Sequence, residues 1–200
     1  MPRQEVSSMK LLLENWREYL KEEEQKYEIY CDMDGVLADF EVGTVEYITS
    51  ALKSGKAPEL AEELGRDYIE KEDIRTSKPV RDYMYKELQH NAEFWENLPW
   101  MPNGRELWAA IAPHNPNILT TPMGYGSEIG KQAWIDKNLN PPPQKVFMSR
   151  DKYNWANKNS ILIDDWKKNT IPWEEHEGVA ILHRDQNLEK TLSVLRDLGL

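Results

Sequence analysis

Five short apolar runs, separated by longer helical stretches, constrain the fold of this chain more than any other feature. They fall at residues 27–31, 117–121, 145–148, 160–164 and 178–182. Helical patterns lie between or after them, most clearly at 128–138 and 188–198. Short apolar strands alternating with helices predict an α/β protein built on a parallel sheet covered on both faces. A chain of 200 residues suits one domain, or a core carrying a modest insertion, and folding can bury roughly 70% of its unfolded surface.

The first and second runs are far apart, and the pattern between them is helical. Val42, Val45, Ile48 and Leu52, then Leu60, Leu64, Tyr68 and Ile69, then Val80, Tyr83, Met84, Leu88 and Phe94 recur at helical spacing, with breaks near Ser54-Gly55 and Ser77-Lys78-Pro79. Residues 41–97 are therefore expected to form a helical insertion after the first strand, on a core made of 27–40 and 98–200. Ahead of the first strand, Met9, Leu12, Leu13, Trp16, Tyr19 and Leu20 predict an amphipathic helix within 1–26. Its stripe can cover the protein's own core or pair with a second copy in a homodimer, and both readings stay open.

The formal charge of -10, from 25 basic against 35 acidic residues, opposes any role that holds long nucleic acid by its phosphates. A small anionic substrate is compatible with it, because a metal ion and a few lysines reverse the field locally. The single cysteine, Cys31, excludes an internal disulfide and fits a reducing compartment. No apolar run has the length of a membrane span, and the N-terminus lacks the apolar stretch of a secretory signal. The expectation is a cytoplasmic protein without a membrane partner.

Asp32 and Asp34 follow the first strand, two residues apart, with Gly35 allowing a tight turn beside them. Carboxylates so close repel unless a cation lies between them, and Mg2+ suits a site of few carboxylates that also takes phosphate. Asp164-Asp165 end another apolar strand. A parallel sheet gathers the carboxyl ends of its strands at one edge, so the two pairs can meet around one ion. Thr120-Thr121 end a third strand with hydroxyl and N–H donors suited to phosphate oxygens. Lys131 and Lys152 are the candidate cations for a transferring phosphoryl group. Taken singly, each of these is an ordinary cap, turn or surface residue. His90, His114, His176 and His183 have no metal-ligand spacing.

The order Asp32-Met33-Asp34-Gly35-Val36, Thr120-Thr121, Lys131, Asp164-Asp165 resembles the haloacid dehalogenase (HAD) superfamily of phosphotransferases. The wording is similar in particular to the 5'(3')-deoxyribonucleotidases in 32–40, in Glu96-Asn97-Leu98-Pro99 with Met101-Pro102, in Thr121-Pro122, in Lys131 with Ala133-Trp134, in Arg150-Asp151-Lys152 and in 162–165. Trp166 departs from it, standing where that family often has arginine, as does the Met123-Gly124-Tyr125-Gly126 loop.

The resemblance implies a Rossmann-like sheet with a helical cap inserted after the first strand, and Mg2+-dependent hydrolysis of a phosphomonoester through an aspartyl-phosphate. Asp32 would be the nucleophile and Asp34 the acid and then base. Asp32, the Asp34 carbonyl and a carboxylate of Asp164-Asp165 would hold the metal. Thr120 and Lys131 would hold phosphoryl oxygens, with Thr121, Arg150 and Lys152 in the same neighbourhood. Phe40 would stack a base, with Phe94, Trp95 and Trp100 as candidate neighbours. The substrate it implies is a nucleoside monophosphate. The alternatives are another small phosphomonoester, such as a sugar phosphate or a polynucleotide 3' end, or a silent nucleotide-binding relative.

Overall fold

The computed structural model describes residues 27–184 and 187–200. The amphipathic helix expected within 1–26, and with it the homodimer reading, lies outside the described residues.

The five expected strands are all present as β1 (Glu28–Cys31), β2 (Asn117–Thr120), β3 (Val146–Met148), β4 (Ser160–Asp164) and β5 (Val179–Leu182). They form one parallel sheet in the order β3-β2-β1-β4-β5. Alternation along the strands divides the core between the two faces. Ile29 and Cys31 join Ile118, Ile161, Ile163 and Ile181 in the larger cluster. Tyr30 points the other way, onto Leu119, Leu162 and Trp173. With β1 in the middle, the chain leaves it at the sheet's carboxyl edge, where the Asp32 N–H donates to the Ile163 carbonyl at 2.9 Å. Crevices at that edge are where open parallel sheets bind ligands.

Between β1 and β2 lie α1 (Phe40–Lys53), α2 (Pro58–Leu64), α3 (Lys71–Thr76), α4 (Lys78–Leu88), α5 (Ala92–Glu96) and α6 (Gly104–Ile111). Ile48, Leu52, Leu60, Val80, Met84 and Leu88, picked out by helical spacing, are all buried. The chain enters and leaves the stretch α1–α5 side by side: the Asp39 N–H donates to the Pro99 carbonyl and the Met101 N–H to the Leu37 carbonyl, each at 2.7 Å. The remaining helices are α7 (Tyr125–Asn138), α8 (Lys167–Glu175) and α9 (Leu188–Asp197). Among the described residues no helix is long and apolar enough to cross a membrane.

The expected helix 128–138 begins three residues earlier, at Tyr125. The cause is Ser127, whose Oγ accepts from the N–H groups of Met123 and Gly124 at 2.7 and 3.0 Å. That hydroxyl serves donors a new helix leaves unpaired. Helix α5 lies directly on α7, and glycines on α7 make the approach possible. A Cβ on Gly130 would stand 2.2 Å from the Ala92 carbonyl oxygen and 2.5 Å from Trp95 Cβ, and one on Gly126 would stand 2.4 Å from the His90 carbonyl carbon. Backbone cannot yield as a side-chain tip can. Gly130→Ala is therefore expected to destabilise the protein by about 1–3 kcal/mol, as overpacking does, read as a lower urea midpoint at unchanged m-value. An unchanged midpoint would show that α5 is free to shift.

Candidate active site

Three strand ends bring the predicted acidic and basic residues together. Asp32, immediately after β1, is 6% exposed. Its Oδ1 accepts from the Met33 N–H at 2.7 Å and meets Lys152 Nζ at 2.8 Å. Asp164, the last residue of β4, is fully buried and meets the same ammonium at 2.7 Å. Burial works against the charge on Lys152, but Asp32 and Asp164 outweigh it and hold its pKa above the ordinary lysine value. Lys152 is thus a brace between two carboxylates.

Asp34 is served by the other lysine. Lys131 is completely buried and donates to Asp34 Oδ2 at 2.6 Å, to Thr120 Oγ1 at 2.9 Å and to the Thr121 carbonyl at 2.7 Å. All three ammonium hydrogens are therefore taken by protein oxygens. Asp34 as a whole keeps 28% of its side chain exposed, yet its Oδ1 is buried with no partner among the described residues. Burial pushes the Asp34 carboxyl above the usual carboxylate value against the pull of Lys131. Two carboxylates two residues apart are thus placed in different surroundings, each with its own lysine.

The pair after β4 divides its labour. Asp164 is saturated: besides Lys152, it accepts from the Trp166 N–H at 2.9 Å and from Asn169 Nδ2 at 3.1 and 3.0 Å. Among the described residues no donor reaches the Asp165 carboxylate. Burial and then Asp32 and Asp164 push Asp165 up to about 7. Oxygens of Asp32, Asp164 and Asp165 all lie within 4.8 Å of one another. Gly35, at φ +75°, turns the backbone so closely under Asp165 that a Cβ there would sit 2.5 Å from Oδ2. Formally, four carboxylates face two ammonium groups, an excess of two negative charges, and among the described residues Asp34 Oδ1 and the Asp165 carboxylate oxygens lack donors. That donor set, all oxygen with surplus charge, fits one hard divalent cation. Asp165 is the member whose carboxylate oxygens have no donor among the described residues.

Other predicted residues have partners that alter their reading. Thr120 is fully buried with its Oγ against Lys131. The Thr121 hydroxyl donates to the Ser149 carbonyl at 3.1 Å, tying the end of β2 to that of β3. Arg150 is exposed just after β3. Phe40, the first residue of α1, is half-buried and lies parallel to Trp95, with centroids 5.2 Å apart at 13°. Trp95 is only 1% exposed. One face carries Phe40, Lys131 Nζ stands 5.0 Å from its centroid, and its N–H donates to the Leu88 carbonyl at 2.7 Å. It presents no free face to a base. Phe94 is buried edge-on to Phe40, and Trp100 packs on Trp134. Sequence reasoning passed over Asn169, because α8 contains Pro172 and an asparagine-threonine pair that argue against a helix.

No protein-family model matches the chain. It is 27% identical over 156 residues to the cytosolic type of 5'(3')-deoxyribonucleotidase from Homo sapiens, covering 74% of this chain and 73% of that protein. Among solved structures, it is similar to a hydrolase from Streptococcus pneumoniae TIGR4, at a TM-score of 0.51 and 14% identity, covering 84% of this chain and 99% of that one. It is also similar to a HAD family hydrolase from Deinococcus radiodurans R1 whose crystal structure holds phosphate and sodium, at a TM-score of 0.54 and 9% identity, covering 88% and 97%. The fold is therefore that of the HAD hydrolases, as the order of motifs led us to expect.

Proposed function

We propose, for a chain that has the HAD fold and this arrangement of carboxylates, a magnesium-dependent phosphomonoester hydrolase that dephosphorylates nucleoside monophosphates. The observation that carries the reading is the separation of Asp32 from Asp34. Asp32 is held by Lys152 and the Met33 N–H through one oxygen, which leaves the other for attack on phosphorus. Asp34 is raised above the usual carboxylate value by burial, so it can carry a proton to a leaving oxygen. Neighbouring carboxylates set apart by their surroundings are how acid and nucleophile are assigned within one pair.

In the first step Asp32 forms a bond to phosphorus, the bond to the leaving oxygen breaks, and the proton of Asp34 goes to that oxygen. In the second, Asp34 takes a proton from the water that attacks the aspartyl-phosphate, which releases Asp32 and phosphate. Asp32, Asp165 and the Asp34 carbonyl, with Asp164 behind them, are the groups we assign to hold Mg2+, which when bound offsets the negative charge of nucleophile and phosphate. Lys152 keeps Asp32 in place, and Lys131 does the same for Asp34 and Thr120.

The nucleotide assignment is supported by the deoxyribonucleotidase relative and by the half-buried Phe40 ring beside the site. The cytoplasm is the compartment we propose, in keeping with the cytosolic relative and the single, buried thiol of Cys31. A phosphate-release panel tests the reading, using deoxy- and ribonucleoside 5'- and 3'-monophosphates, sugar phosphates and a 3'-phosphorylated oligonucleotide, with and without Mg2+. Nucleoside monophosphates are expected to lead by tenfold or more, a margin needing only about 1.4 kcal/mol of differential transition-state binding. Silence on every substrate removes the enzyme reading, and a lead for sugar phosphates removes the nucleotide.

A further inference from the structure

Trp95 occupies a place that the chemistry above does not explain. It is almost fully buried and neighbours two functional groups, with Phe40 parallel to its ring at 5.2 Å and the Lys131 ammonium 5.0 Å from its centroid. Its own N–H is fixed to the Leu88 carbonyl at 2.7 Å, at the end of α4. The ring belongs to α5, which the glycines of α7 allow into backbone contact with the helix that carries Lys131.

A buried ammonium must have its hydrogens placed. Lys131 directs all three at Asp34, Thr120 and the Thr121 carbonyl, at 2.6, 2.9 and 2.7 Å. A π-face next to these contacts favours the cation electrostatically and closes a route by which it could swing away or be hydrated. An alkyl side chain of similar bulk would close the route without the electrostatic effect.

We infer that Trp95 is a positioning residue, which holds the Lys131 ammonium on Asp34 and so fixes the proton donor opposite the leaving oxygen. The inference rests on the proposed phosphatase reading and deepens it. Trp95 does not touch substrate. Its influence falls on the step in which the bond to the leaving oxygen breaks and the Asp34 proton moves to that oxygen. Alkoxides need that proton in order to depart, whereas p-nitrophenolate does not.

The leaving group is therefore the readout. Trp95→Leu and Trp95→Phe are compared with the parent by kcat/KM on a nucleoside monophosphate, benzyl phosphate and p-nitrophenyl phosphate, all with Mg2+. Thermal midpoints are recorded for each protein. For Trp95→Leu the two alkoxide substrates are expected to lose about tenfold or more and p-nitrophenyl phosphate less than about threefold, with the ring of Trp95→Phe restoring most of the difference. If Trp95→Leu does not fold, Trp95→Phe must show the same ordering at smaller size.

Equal loss on all three substrates marks a merely structural residue and overturns the inference. Loss on the nucleotide alone means that Trp95 acts only by backing Phe40, and overturns it as well. A parent protein that cleaves none of them fails at the earlier step and takes the phosphatase reading with it, an outcome distinct from the other two.

Discussion

Asp32→Asn is expected to reduce phosphate release by about 10^4-fold or more, the scale on which enzymes lose activity when a covalent nucleophile is removed, and to leave the fold standing. The amide has nearly the shape of the carboxylate and keeps an oxygen for the Met33 N–H and for Lys152. Lys152 retains Asp164 at 2.7 Å, so no buried charge is left alone, the event that makes broken internal pairs costly. What disappears is the anionic oxygen that attacks phosphorus. Phosphate release, with circular dichroism melts alongside, separates the two effects. A folded Asp32→Asn protein turning over within tenfold of its parent would falsify the assignment of the nucleophile.

Asp32 could be picked out in the sequence because its neighbours are local: a strand of Ile29, Tyr30 and Cys31, a second carboxylate at Asp34 and a turn at Gly35. The strands were legible for the same reason, since a fully buried parallel strand leaves a short run of apolar residues in the sequence. The helices that went unread carry mixed signals. In α6 the buried Leu107, Trp108 and Ile111 are few, and α8 contains Pro172. The partners of the two lysines depend on how α7 and the turn after β3 meet β1. Such long-range packing has no local signature. Residue type suggested a cation for phosphate in both places, and that Lys131 and Lys152 also brace carboxylates is seen only in the structure. Trp95 shows the same limit, because an aromatic residue beside a binding site reads as a stacking surface until its near-complete burial against Phe40 and Lys131 is seen. Gly126 and Gly130 are four residues apart on α7, a spacing visible in the sequence, but only the structure shows that α5 lies against them.

Removing divalent metal is expected to abolish turnover and to make stability depend on pH in an unusual direction. With no cation bound, burial and the neighbouring Asp32 and Asp164 hold Asp165 at about 7, above the ordinary carboxylate value. The folded protein then keeps a proton on Asp165 between about pH 4 and 7, where the unfolded chain has lost it. Stability follows the difference in bound protons, so it falls as pH rises through that window, by about 1.4 kcal/mol per unit for one such group. His183, lowered by burial, acts oppositely: the unfolded chain takes up its proton first, so stability is lost as pH falls below about 6.5. His183→Gln removes that contribution. In EDTA the His183→Gln protein is therefore expected to lose stability from pH 5 to pH 7. With Mg2+ bound to the carboxylates the loss is expected to vanish, and the melting midpoint at pH 7 to rise with the logarithm of Mg2+ concentration, as for any ligand that binds the folded state alone. Denaturant melts at the two pH values, with EDTA and with Mg2+, provide the comparison, and Asp165→Asn serves as control because it removes the Asp165 share, leaving that of Asp34 and Asp164, whose carboxyls burial also raises. A pH response that is the same with and without Mg2+ would mean that the cation does not reach Asp165, and the metal would have to be assigned elsewhere.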